Sequence, residues 1–155
     1  MRNLWEDAKL ISVRTGSEIV GGFDAGFEKK ISDELKDALM RFVYWVEDRY
    51  NLPVTLWVNF RYRHYLIGRD KMRSCYCFYW VDYEDLSSFE NFDDIPVIEL
   101  AVRNEKQTMD EILISFIEAI TCYFAWLSGL DLNVFQPDIT LAEEILTAYK
   151  NTRGE

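Results

Sequence analysis

At 155 residues and 49% hydrophobic, with five Trp, nine Tyr and ten Phe, the chain is long enough to bury a core without disulfides, and disorder is expected only in its last few residues. A formal charge of −10 disfavours nucleic acid and anionic membrane surfaces as partners. Three cysteines without finger-like spacing, and an N-terminus (MRNLWEDAKL) with no apolar signal-peptide run, point to a reducing cytoplasm.

One domain is expected, with residues 1–25 as an N-terminal extension and 27–150 as its core; no repeat, low-complexity tract or linker interrupts it. In the extension, Lys9–Val13 reads as a short strand, and Gly16, Gly21, Gly22 and Gly26 mark turns around Ser17–Val20. A first helix is expected over Phe27–Tyr50. Its apolar stripe is Ile31, Leu35, Leu39, Phe42, Val43, Val46 and Tyr50, with Glu47 and other charges opposite, and Asn51-Leu52-Pro53 ends it. Val54–Tyr65 alternates as a strand, with Leu56, Val58 and Phe60 on one face and Asn59 and Arg61 on the other. After the turn residues Ile67-Gly68-Arg69-Asp70, Lys71–Tyr83 reads as the returning strand of a hairpin. An acidic, aromatic loop, Glu84–Asp94, leads to a strand over Ile95–Arg103.

The next helix, Met109–Ser128, is apolar almost all the way round, opened by a capping box (Thr108, Glu111) and closed by Gly129. On it Ser115, Glu118 and Cys122 recur at spacings of three and four and share one face. A carboxylate in a buried helix needs a partner, a cleft or a proton, so this stripe is the candidate site. A last helix, Asp138 to about Asn151, turns Ile139, Ala142, Ile145, Leu146 and Tyr149 inward. The elements compose an α+β domain: helices against a small, mainly antiparallel sheet.

Tyr50-Asn51-Leu52-Pro53, the strand hairpin, Pro96-Val97-Ile98-Glu99-Leu100-Ala101, the tail Tyr123-Phe124-Ala125-Trp126-Leu127-Ser128-Gly129 and the final helix Leu141–Tyr149 follow one another in an order that resembles the minimal, small gluzincin-like zincin metallopeptidases. The resemblance implies a backing helix, a central former active-site helix and a C-terminal helix. It also puts Glu118, Ala119 and Cys122 where a working zincin carries the first His, the general-base Glu and the second His of HExxH. Third ligands in that family come from the final helix, where Glu143, Glu144 and Asp138 stand. The sole imidazole, His64, lies at the end of the first strand. The resemblance thus implies the fold without peptidase activity, and no metal or cofactor is expected.

Zincins hold extended peptides against an edge strand by main-chain hydrogen bonds, a geometry that does not need the metal. The leading reading is therefore a catalytically inactive domain that binds a protein or peptide segment in the former substrate cleft. That cleft is expected beside Ile95–Val102, among Ser115, Glu118, Cys122, Glu99 and Glu143. The first alternative is a non-metal enzyme or small-molecule binder with Glu118 as acid/base. The second is a metallopeptidase with substituted ligands, to which Cys75 and Cys77 would add thiolates. Cysteine catalysis would need His64 beside Cys77 or Cys122. Two charged surfaces complete the inventory: a basic hairpin tip (Arg61, Arg63, His64, Arg69, Lys71, Arg73) that is either a solvated turn or an anion site, and the acidic loop, which lacks the ligand alternation of a calcium loop.

Overall fold

A computed structural model describes residues 3–14, 21–67, 72–81, 94–103 and 105–152. The elements are α1 (Leu4–Asp7), β1 (Phe23–Phe27), α2 (Asp33–Arg49), β2 (Leu56–Arg61), β3 (Leu66–Ile67), β4 (Arg73–Ser74), β5 (Tyr76–Val81), β6 (Ile95–Ala101), α3 (Met109–Leu127) and α4 (Ile139–Thr152). The α+β class stands. The four-stranded sheet has the order β1-β2-β6-β5, and β3 and β4 form a separate two-stranded hairpin.

The expectation of a mainly antiparallel sheet is corrected. β1 pairs with β2 and β2 with β6 in parallel, and only β5 runs antiparallel to β6, so the sheet is mixed. The reason lies at both ends of α2. Phe23–Phe27 is a strand and not the start of a helix, and Ser32 caps α2 by accepting from the Leu35 N–H. A strand, a helix and a strand in succession make a crossover, which brings the second strand back parallel to the first. The expected pairing of Val54–Tyr65 with Lys71–Tyr83 is corrected as well. The apolar run IPVIELA of β6 inserts between β2 and β5 and is mostly buried, as a strand flanked on both sides requires.

Alternation then sets the faces. Leu56, Val58, Phe60, Ile98 and Leu100 turn to the helices and join one core cluster with Leu39, Phe42, Ile112, Phe116, Ile120 and Tyr149. Phe116 lies at its centre, its ring 5.4–5.8 Å from those of Phe60, Phe42 and Phe23. The N-terminal segment enters the same core: Trp5 is buried, and its Nε1 donates to Thr121 Oγ1 at 2.8 Å. Lys9–Val13 is not a strand; only Lys9 makes a bridge, to Tyr50. Gly21 is required where it stands, with φ +81° and the Leu52 carbonyl 2.0 Å from where a Cβ would be.

Two residues depart from their expected burial. Ile139 is half exposed, because α4 begins there and its first turn overhangs the core. Glu47 is buried and accepts from the Phe23 N–H at 2.8 Å, fastening α2 to the start of β1. Among the described residues no helix is long and apolar enough to cross a membrane. The turns around Ser17–Val20, the hairpin-tip residues Arg69 and Lys71, and nearly all of the acidic loop lie outside the described residues.

Candidate functional site

The capping box of α3 forms as expected, with Thr108 Oγ1 accepting from the Glu111 N–H at 3.1 Å and Glu111 Oε1 accepting from the Thr108 N–H at 3.1 Å. At the other end Gly129 (φ +75°) donates to the Trp126 carbonyl and Leu130 to the Ala125 carbonyl, the paired bonds of a Schellman closure. Between these fixed ends Ser115, Glu118, Cys122 and Trp126 form a half-buried stripe on a helix otherwise sunk in the core.

That stripe faces β5. Phe78 and Trp80 turn toward it and meet Trp126, with ring centroids 6.2 and 6.4 Å apart, so three rings close one end of the trough. At the other end Tyr76 stands beside Glu118 and Cys122. Burial raises the Glu118 carboxyl above the ordinary carboxylate range. Burial, then the neighbouring Glu118 charge, pushes the Cys122 thiol up to about 12. Tyr76 is likewise raised, first by burial and then by the charges of Cys122 and Glu118. Every titrating group here is biased toward its neutral form. Ala119 is fully buried, so the position that the zincin resemblance gives to the general base carries neither a polar atom nor solvent.

β5 is an edge strand. Its ladder with β6 includes the Ala101 N–H donating to the Cys75 carbonyl at 2.9 Å, and the register then pairs Cys77 with Glu99, Tyr79 with Val97 and Val81 with Ile95. In an antiparallel ladder, hydrogen-bonded and non-bonded pairs alternate. Tyr76, Phe78 and Trp80 therefore aim their N–H and C=O groups away from β6; the Tyr76 carbonyl there accepts from the Ser74 hydroxyl at 2.8 Å, and among the described residues no strand pairs with that side. Pro96, which has no N–H, stands opposite Trp80 at a non-bonded pair. Ile95–Val102, expected to border the cleft as an edge strand, is interior in the sheet, whose two edges are β1 and β5; β5 is the one that faces the stripe of α3.

Glu99 does not face the trough. With Ile98 and Leu100 turned to the core, the period of two sends Glu99 to the sheet's outer face. Its carboxylate accepts from Asn59 Nδ2 at 2.5 Å, Arg61 Nε at 2.8 Å and the Tyr79 hydroxyl at 3.3 Å. Arg61 Nη1 lies 3.6 Å from Glu28. Beside this network a cavity of about 420 Å³ opens under the β3–β4 hairpin, lined by Arg61, Arg63, Leu66, Ile67, Ser74, Tyr76, Cys77 and Glu99. Burial and then the Glu99 charge raise the Cys77 thiol.

Of the residues expected at the site, Ser115, Glu118 and Cys122 do come together. Glu143 and Glu144 are exposed on α4, and Asp138 caps that helix by accepting from the Thr140 N–H at 2.9 Å. His64 is exposed with its ring 5.7 Å from Tyr65. Among the described residues no three of His, Cys, Asp and Glu are grouped to hold a metal ion. The Glu99–Arg61–Asn59 network and the rings of Phe78, Trp80 and Trp126 were not legible as units. The first was signalled by polar residues at alternate positions of two strands, and the second only by aromatic content. Comparison of the chain with known protein families, curated proteins and solved structures found no match.

Proposed function

We propose that the chain is a zincin-like binding domain without peptidase chemistry, which takes an extended peptide as an added strand along the free edge of β5. The observation that carries this reading is the edge itself. Phe78 and Trp80 offer main-chain donors and acceptors outward and Tyr76 offers its N–H, its carbonyl being taken by the Ser74 hydroxyl, while their side chains line a trough whose far wall is the polar stripe of α3. Strand addition draws affinity from main-chain hydrogen bonds and specificity from alternate side chains, and both are provided here. The zincin part rests on the chain order of α2, the strands β2 to β6, α3 and α4, and the absence of peptidase chemistry on Ala119 in place of a base.

The test is selection of short peptides from a random displayed library against the full chain. The best binder is then remade with N-methyl groups at alternate backbone positions. One of the two alternating sets should weaken binding by about tenfold or more, since each methyl removes an interstrand donor. Equal tolerance of both sets would refute strand addition.

A second reading has its own support. Glu118, half-buried and raised beside Tyr76, is suited to proton transfer on a small molecule. Glu118→Gln separates the two: it should leave main-chain-driven peptide binding within about threefold, whereas an acid/base role would lose at least a hundredfold in rate.

A further inference from the structure

We infer that the cavity beneath the β3–β4 hairpin is a carboxylate subsite, filled by an acidic side chain or by the C-terminal carboxylate of the strand bound along β5. The inference rests on the peptide reading above and adds the chemistry of the residue selected.

Continuity comes first. Tyr76 lines the cavity and is also the first β5 residue whose main-chain groups face the free edge, so a strand laid on β5 ends at the cavity mouth. Charge comes second. Arg61 is held in place, its Nε 2.8 Å from Glu99 and its Nη1 3.6 Å from Glu28, and these two carboxylates more than offset it. Arg63, two residues on, also lines the cavity and makes no ion pair among the described residues. Arg73 lies over the Tyr65 ring at 4.5 Å on the same hairpin and adds positive field. The uncompensated charge is thus small, and the chain as a whole carries −10. A monoanion suits that balance; a phosphate dianion would meet Glu99, Glu28 and the overall field. Shape comes third. Leu66 and Ile67 give the cavity an apolar wall, and the Ser74 hydroxyl beside them donates to the Tyr76 carbonyl at 2.8 Å, leaving Arg63 as the donor for a ligand. The ligand group is therefore a carboxylate on an aliphatic stem, met by the planar fork of arginine.

The test follows the arginine Nε–Hε signals of the full chain by NMR during titration with four probes. N-acetyl-leucine offers a terminal carboxylate, N-acetyl-glutamate α-amide a side-chain carboxylate, N-acetyl-leucine amide no charge, and inorganic phosphate a dianion. Saturable shifts at Arg63 and Arg61 are expected with one or both acids and not with the neutral amide, and the stronger acid names the source. Arg63→Gln should weaken that binding by about tenfold. Phosphate binding as tightly as the acids, or no shift with either acid, would overturn the subsite. If the acids fail while a library-selected peptide still binds along β5, only the subsite falls. If the acids bind and no peptide does, the subsite stands and the strand-addition reading falls.

Discussion

Glu99 and Glu118 stand on opposite faces of the sheet at the same level of β5, one across the ladder from Cys77 and the other beside Tyr76. Glu99 has three hydrogen-bond donors from three side chains and an ion pair with one of them. Glu118 has no hydrogen bond or ion pair among the described residues, and burial raises its pKa. A half-buried carboxylate with its lone pairs occupied helps to hold a structure together, whereas one left without partners costs stability. The outer face around Glu99 is built as a clamp that fixes β2, β6 and β5 relative to one another, and the trough around Glu118 is left unfinished.

The largest expected effect sharpens the chemical side of this contrast. With its thiol pushed up to about 12, Cys122 should react with iodoacetamide at pH 8 on the order of a hundredfold more slowly than a simple thiol, even allowing for the greater nucleophilicity of a less acidic thiolate. Mass spectrometry of the time course measures it, and labelling at the rate of a free thiol would show that the trough does not exclude charge. Glu99→Ala should cost about 2 kcal/mol in urea unfolding, because Asn59, Arg61 and Tyr79 lose their shared acceptor. A cost under about 0.5 kcal/mol would remove the clamp from the account. Trp126→Ala should cost about 1–2 kcal/mol through lost contact with Phe78 and Trp80, and should open the closed end of the trough.

Glu118→Gln has the smallest effect and the sharpest sign. A carboxyl whose folded pKa lies above its unfolded value keeps its proton longer in the native state. Its contribution is therefore favourable at low pH and is lost as pH rises from about 4.3 through the raised folded value. Gln removes that loss, so the variant should be as stable as the parent or slightly more so at pH 7, by less than about 1 kcal/mol after solvent screening. Urea midpoints across pH 4–8 check it, and a variant that is less stable at pH 7 would mean that Glu118 is partnered after all.

How much of this was legible in the sequence follows from the range over which each signal acts. α3 could be read with its caps because the capping box, the 3.6-residue period and the closing glycine are all local. The Ser115–Glu118–Cys122 stripe followed from the same period. β1 was hidden because FDAGF is short and contains a glycine, and its apolar residues blend into the first turn of a helical pattern. The pairing of β5 with β6 and not with β2 depends on strand order, which adjacency along the chain does not encode. The near-continuous apolar run of β6 was the one available hint that it lies inside the sheet. The expectation of Glu99 in the cleft overlooks its alternation with Ile98 and Leu100, which assigns it to the other face. Glu47 gave no such signal, because a buried carboxylate bonded to a distant backbone N–H resembles any polar helix position.

If β5 is an open edge awaiting a strand, backbone amide exchange followed by NMR will show it. In the free protein the amides of Cys77, Tyr79 and Val81 should be protected by β6, while those of Tyr76, Phe78 and Trp80 exchange rapidly. Adding the peptide selected from the library should slow exchange at those three amides together. Protection of all six amides in the free chain, or a bound peptide that leaves Tyr76, Phe78 and Trp80 exchanging as before, would contradict the account.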